Sequence, residues 1–153
     1  MSIEDDIAFF ERIPTLALLG RAALRILAIG AESRYVHGGE VLFRAGEQAD
    51  SAYVIQEGSF SLTPPNAESE AATVAGRGAL LGELAMLTNI IRPATATALE
   101  PSTVIRISRG LFLKMLEGYP DAARRLRDTI AGRTEQWRRE LDKVRAMLDQ
   151  REQ

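Results

Sequence analysis

The sequence predicts a mainly β protein with helices at both ends, and three observations predict it. From Ser33 onward, short runs of alternating apolar and polar residues are separated by glycines at Gly38, Gly39, Gly46, Gly58, Gly76 and Gly78. A period of two with turn residues between the runs is the mark of antiparallel strands. Ahead of that point, Ile7, Phe10, Leu16, Leu19, Leu24, Leu27 and Ile29 fall at helical spacing. Near the end of the chain, Ile130, Trp137 and Val144 recur every seven residues, with Thr134, Leu141 and Leu148 four beyond each, which is the spacing of a helical seam.

Each element follows from its own residues. Residues 3 to 31 form the helical lead-in, and Pro14 divides it in two because proline cannot sit inside a helix without breaking it. Val41 to Arg44 and Ala52 to Gln56 read as strands, and Pro64 to Glu70, polar and without period, as an exposed loop between strands. Thr95 to Leu99 and Ser102 to Ile107 are two further strands on either side of Glu100-Pro101. Ser108 caps a helix over Leu111 to Leu116 that Gly118 ends, and Asp121, directly after Pro120, caps the long last helix. The seam of that helix suits a two-stranded coiled coil, with a helix folded back on its own barrel as the alternative. Its arginines (Arg124, Arg125, Arg127, Arg138 and Arg139) alternate with Asp128, Glu135, Glu140 and Asp142, the pattern of a solvated, ion-paired face.

Length and composition narrow the function. At 153 residues, with 46% hydrophobic and 26% charged, the chain holds one domain and an extension, divided here as 1-120 and 121-153. A net charge of −2 is unlike a nucleic-acid binder, which carries a basic excess. The absence of cysteine removes disulfides and thiolate chemistry and suits a reducing compartment, so the cytoplasm is expected. Glu4, Asp5 and Asp6 stand where a secretory signal needs positive charge. Arg21 and Arg25 interrupt the apolar run from Leu16 to Ile29, so neither export nor a membrane span is expected. The single histidine, His37, sits beside Gly38 in a turn and reads as an ordinary surface residue. With no second histidine and no cysteine, neither a metal cluster nor an activated nucleophile can be assembled, and no enzymatic activity is expected.

The chemistry concentrates in Gly82 to Ala96. Gly82 permits close backbone approach, and a helix start just after it leaves the amides of Leu84 and Ala85 free to face an anion. Arg92 adds a full charge and a planar fork of donors suited to phosphate. Glu83 would repel a phosphate and is better matched to a neutral hydroxyl. Taken singly, these residues have ordinary explanations: Gly82 as a turn, Glu83 and Arg92 as an ion pair across a loop, Thr95 as a strand residue chosen for β propensity.

Taken together, Gly82-Glu83-Leu84-Ala85, six residues, Arg92, two residues and Thr95 resemble the phosphate-binding cassette of cyclic nucleotide-binding domains. That family includes catabolite activator proteins, protein kinase A regulatory subunits and cyclic-nucleotide-gated channels. Gly39 to Glu47 and Ala52 to Gly58 are similar to the family's first glycine-punctuated strands, and the likeness runs from about Ile13 to Tyr119. The resemblance implies an eight-stranded antiparallel jelly roll of double Greek-key topology with N-terminal helices and two C-terminal helices, the last one long. It also implies that Arg92 neutralises a cyclic phosphate, that Glu83 accepts from the ribose 2′-hydroxyl, and that the backbone from Gly82 to Ala85 holds the sugar-phosphate. Pro93, Ala94 and Thr95 would complete the cassette. A lid residue from the last helix, Thr134, would cover the base.

Two departures from the family bear on the expectation. The position after the arginine is Pro93, where the family usually has a small residue with a free amide, often carrying a hydroxyl. Proline has no N–H, so a charge-assisted donor worth about 1.5–3 kcal/mol is lost. In the family a threonine at this position often favours guanine, so the resemblance implies cyclic AMP rather than cyclic GMP. The second departure is that no helix-turn-helix follows before Gln153. The expected protein is a stand-alone cyclic-nucleotide-binding regulator acting through its C-terminal helix, as a homodimer through residues 121-153 or with a protein partner, and without nucleic acid or membrane. The alternative is a scaffold of the same fold that binds no ligand and serves dimerisation or docking.

Overall fold

The computed structural model describes residues 2–65 and 72–129. Three helices open the chain. α1 (Ile3–Phe10) starts at Ser2 in a reciprocal capping box with Asp5, and its first turn carries Glu4, Asp5 and Asp6, the charge that a helix N-terminus favours. α2 (Pro14–Ala17) begins at the proline expected to break the lead-in. α3 (Arg21–Gly30) follows a second break at Gly20, which the spacing of apolar residues does not reveal. The inward face of α3 is Ala23, Leu24 and Leu27. Ile29, expected on that face, is 59% exposed. It lies two residues beyond Leu27 and therefore about 200° around the helix from it.

The β strands are β1 (Glu32–Val36), β2 (Val41–Phe43), β3 (Gln48–Ala49), β4 (Ser51–Glu57), β5 (Phe60–Thr63), β6 (Thr73–Ala75), β7 (Leu80–Leu81), β8 (Ile90–Ile91), β9 (Thr95–Ala98) and β10 (Ser102–Ser108). They pair antiparallel as two four-stranded sheets, β1-β10-β4-β7 and β2-β9-β5-β6. These are the eight strands of the expected jelly roll. A two-residue ribbon, β3 with β8, is added beside them. That ribbon brings Gln48 opposite Ile91, so the residue before Arg92 is held to β3.

Ser108 caps α4 (Arg109–Gly118), accepting from the Leu111 N–H at 3.1 Å. Residues 120–129 are helical as well. Asp121 is not the cap of that stretch, as the sequence suggested. Pro120 is already helical and Ala123 N–H donates to the Tyr119 carbonyl at 3.1 Å, so Tyr119 is the boundary and Asp121 pairs instead with Arg124 inside the first turn. Arg125 also departs from the expected ion-paired face. It donates from Nε to the Leu18 carbonyl at 2.7 Å and from an Nη to that of Leu19 at 3.3 Å, capping the end of α2. The heptad positions from Ile130 onward, and Thr134 with them, lie outside the described residues.

Two apolar clusters result. The barrel interior joins Val36, Tyr53, Ile55, Leu81 and Val104 of one sheet to Leu42, Phe43, Phe60, Ala96 and Ala98 of the other. Outside it, the opposite faces of β4 and β10, through Ala52, Val54, Ile105 and Ile107, meet the helices through Ile7, Phe10, Leu24, Leu27, Phe112 and Met115. Ala122 and Leu126 belong to this second cluster, so the described start of the last helix packs on the helical lead-in. Each large apolar side chain buried in this way contributes about 1.5–3 kcal/mol.

Candidate functional site

The chain from Leu80 to Thr95 builds one corner of the barrel. β7 ends at Leu81, and Gly82 turns with φ 78 and ψ 38 into a 3-10 helix, Glu83–Met86. Left-handed backbone is costly for residues with a Cβ. A Cβ on Gly82 would also stand 2.3 Å from Nη1 of Arg92, so the guanidinium would have to shift to admit one. The helix is anchored by Ala85 and Met86, both buried, while Leu84 on its outer side is half exposed. The Ala85 amide, expected to be free for an anion, donates to the Gly82 carbonyl at 2.9 Å because the turn is 3-10 rather than α, with bonds to the third residue back.

Arg92 follows β8 and is 4% exposed. Its backbone is fixed on both sides, its N–H donating to the Glu47 carbonyl at 2.8 Å and its carbonyl accepting from Gly46 N–H at 2.9 Å. The guanidinium lies 4.2 Å from the Phe43 ring centroid and 5.6 Å from that of Tyr53, and the two rings are stacked at 6.0 Å. Nη2 donates to the Ser51 carbonyl at 2.8 Å, whereas Nη1, equally buried, has no hydrogen-bond partner. Burial lowers the Arg92 pKa, opposed by Tyr53, Asp50 and Glu47. A guanidinium nevertheless stays protonated in proteins, so a full charge with an unused donor lies directly beneath Gly82.

Beside it opens a cavity of about 320 Å³. Gly82, Glu83, Leu84, Arg92, Pro93 and Ala94 line one side, and Phe43, Leu62, Leu80, Leu81 and Ile90 supply apolar wall. Six of the residues singled out in the sequence are thus brought to one cavity. Ala85 and Thr95 are not in its lining: Ala85 faces the core, and the Thr95 hydroxyl accepts from the Ala45 N–H at 2.9 Å, holding the turn after β2. A second cavity, between α1 and the end of β4, includes Phe9, Arg12, Gln56 and Arg77 in its lining. Its Arg77 is laid over Phe9 at 5.5 Å, and Asp5 and Glu57 offset its two arginines, so no cation is concentrated there. Among the described residues, no group of three or more His, Cys, Asp or Glu could hold a metal ion, and no helix is long and apolar enough to cross a membrane.

Sequence reasoning missed the seat of the arginine and one neighbour. Phe43 and Tyr53 lie within the motifs Gly39 to Glu47 and Ala52 to Gly58, but nothing in their spacing says that they stack under Arg92. The neighbour is Arg109, the first residue of α4. It donates from Nε to the Ala85 carbonyl at 3.0 Å, from Nη2 to the Ala49 carbonyl at 2.5 Å and from Nη1 to the Asn89 side chain, while its own N–H donates to the Asp50 carbonyl at 2.8 Å. Its partners are mostly backbone oxygens, which leave no trace in a sequence.

The fold is a jelly roll whose glycine-led 3-10 turn covers a buried arginine beside an open cavity. The family model described as cyclic nucleotide-binding domain matches residues 33–119. This chain belongs to the cyclic nucleotide-binding domain family. It is 34% identical over 110 residues to an uncharacterized NTE family protein of Mycobacterium tuberculosis, covering 72% of this chain and 18% of that protein. It is 29% identical over 121 residues to a cyclic nucleotide-gated potassium channel of Mesorhizobium japonicum, covering 79% and 33%. The chain thus spans only about a fifth to a third of the length of these relatives. Among solved structures, it is similar to a cyclic nucleotide-binding-like protein of Brucella abortus, at 36% identity and a TM-score of 0.65, covering 74% of this chain and 98% of that one. It is also similar to the N-terminal domain of a transcriptional regulator of Streptomyces coelicolor, at 26% identity and a TM-score of 0.76, covering 87% and 94%.

Proposed function

We propose that this chain is a non-catalytic regulatory module of the cytoplasm that binds cyclic AMP in preference to cyclic GMP and passes occupancy to its C-terminal helix, as a homodimer or to a protein partner. The observation that carries the reading is the unused Nη1 donor of Arg92, buried and charged beneath Gly82 at the edge of the cavity. A buried donor without a partner costs about 1–3 kcal/mol, more when charged, and a phosphate oxygen arriving there recovers that cost. The glycine and the exposed outer face of the 3-10 helix leave the approach open. Glu83, at the start of the same helix, suits a ribose hydroxyl. The apolar wall from Leu62, Leu80 and Leu84 suits a nucleobase face. Pro93 supplies no hydroxyl that would favour guanine, hence the preference for adenine.

Isothermal titration with cyclic AMP and cyclic GMP, repeated on Arg92→Ala, tests the proposal. The expected result is saturable binding, tighter for cyclic AMP, weakened by about a hundredfold or more in the mutant, or roughly 3 kcal/mol. Unchanged affinity in a folded Arg92→Ala protein overturns it. A second reading, a scaffold of this fold that binds no nucleotide, draws on two features: Pro93 removes one phosphate donor, and Nη2 of Arg92 is already engaged by the Ser51 carbonyl. It predicts no heat with either nucleotide at millimolar concentration, together with self-association of the chain.

A further inference from the structure

The cavity between α1 and the end of β4, about 320 Å³, shares no lining residue with the one beside Arg92. Three elements build it. Asp5, Ala8 and Phe9 stand on one stripe of α1, and Arg12 follows in the turn after it. The second wall is the end of β4, where Gln56 and Glu57 both line the cavity, although successive residues of a strand normally point to opposite faces. A bulge is the cause. Thr103 and Val104, adjacent on β10, stand opposite Glu57 and Ile55, two apart on β4, so β4 carries one extra residue there and its side chains are re-aimed. The third wall is Arg77. Residues 76–79 make a tight turn, closed by the Ala79 N–H on the Gly76 carbonyl at 3.0 Å and tied to β4 by the Gly78 N–H on the Ile55 carbonyl at 2.8 Å. Phe9 and Gln56 are the buried floor, and Asp5, Arg12, Glu57 and Arg77 are an exposed, charged rim. Elsewhere on α1 the charges are matched, Glu4 and Glu11 pairing with Arg21 and Arg25. Among the described residues, Arg12, Glu57 and Arg77 make no ion pair and no side-chain hydrogen bond, and the Asp5 carboxylate serves the Ser2 N–H at 3.4 Å.

We propose that this cavity is a second ligand site, for a small zwitterion of the α-amino-acid type with an apolar side chain. An anion alone would meet Asp5 and Glu57, and a cation alone would meet Arg12 and Arg77. A molecule carrying both signs satisfies both pairs, so the balanced rim selects it over either single charge. The ligand carboxylate goes to the arginines, whose planar forks of donors match it, and its ammonium goes to the two carboxylates. Its side chain lies on Ala8 and Phe9, the apolar part of the lining. The site stands apart from the nucleotide reading: it lies at the Glu57 end of β4, whereas Arg92 is bonded to Ser51 at the opposite end.

The test is an amide NMR titration of the full-length protein at low salt with L-phenylalanine and L-leucine. Two analogues of the first, 3-phenylpropanoate and 2-phenylethylamine, each lack one of its two charges and are titrated alongside. The expected result is saturable shifts over 5–12, 56–57 and 76–78, with millimolar or tighter binding of both amino acids and at least about tenfold weaker binding of both analogues. Arg12→Ala and Glu57→Gln each weaken L-phenylalanine about tenfold, as loss of one charge-assisted contact requires. Arg34→Ala, which removes the same charge as Arg12→Ala from an exposed position on β1, leaves the affinity as in the wild type. The Arg12 and Glu57 side chains are exposed, so both variants keep the wild-type fold, checked by thermal unfolding. No shift with either amino acid at about 10 mM overturns the proposal. Shifts confined to the Arg92 corner overturn it too, as does equal binding of L-phenylalanine and its single-charge analogues. A wild type that binds no cyclic nucleotide defeats the nucleotide reading alone, and the amino-acid titration still decides this one.

Discussion

Arg92 and Arg109 occupy one corner of the barrel and share one stretch of backbone, yet they are bonded in opposite ways. Arg109, partly exposed, directs all three of its nitrogens to protein oxygens, from Ala85, Ala49 and Asn89. Arg92, far more buried, has one donor on the Ser51 carbonyl, another on nothing, and two aromatic rings beneath it. A fold that merely needed a fastener at position 92 would have satisfied it, since an orphaned charged donor works against stability. The difference separates a fully engaged guanidinium from one with a donor left over, and bonding rather than burial is what separates them.

Substitutions around Arg92 can break or sharpen that contrast. The largest expected effect is from Gly82→Ala, which puts a Cβ against Nη1 and asks for left-handed backbone. A loss of about 2 kcal/mol in urea unfolding is expected, from strain and displacement of the guanidinium. A loss below about 0.5 kcal/mol would mean that Arg92 moves aside freely and is not seated as described. Pro93→Ala acts in the other direction by returning an amide N–H next to the arginine. Titration with cyclic AMP should show a gain of roughly tenfold, near 1.4 kcal/mol, and no gain would mean that this amide never reaches the phosphate. Phe43→Leu is the mildest. It removes the nearer ring under Arg92, and thermal unfolding should register about 1 kcal/mol of lost stability while the Arg109 contacts are untouched.

Much of this was legible in the chain, and what was not has physical causes. Gly39, Gly46, Gly58, Gly78 and Gly82 all adopt positive φ, so glycine punctuation marked strand ends because only glycine adopts that backbone cheaply. Ser108 could be read as a cap because its hydroxyl serves an amide three residues away. β3 and β8, at two residues each, are too short to have a period and were invisible. β4 reads poorly as an alternating strand because six of its seven residues are buried. At the site, Gly82, Glu83 and Arg92 could be picked out as chemistry, but the occupation of the Ala85 amide and the Thr95 hydroxyl depends on turn geometry fixed only in three dimensions. Arg109 carries no signal, because an arginine whose partners are mostly carbonyls looks, in sequence, like any other surface arginine.

The burial of β4 on both faces has one more consequence. Tyr53 and Ile55 point into the barrel, Ala52 and Val54 into the helices, and β10 divides its side chains in the same way. Neither core can lose its partner without exposing a face of the strands β4 and β10 that the two share, so barrel and helical layer are expected to melt together in thermal unfolding. The helices are therefore less an accessory to the barrel than its second wall.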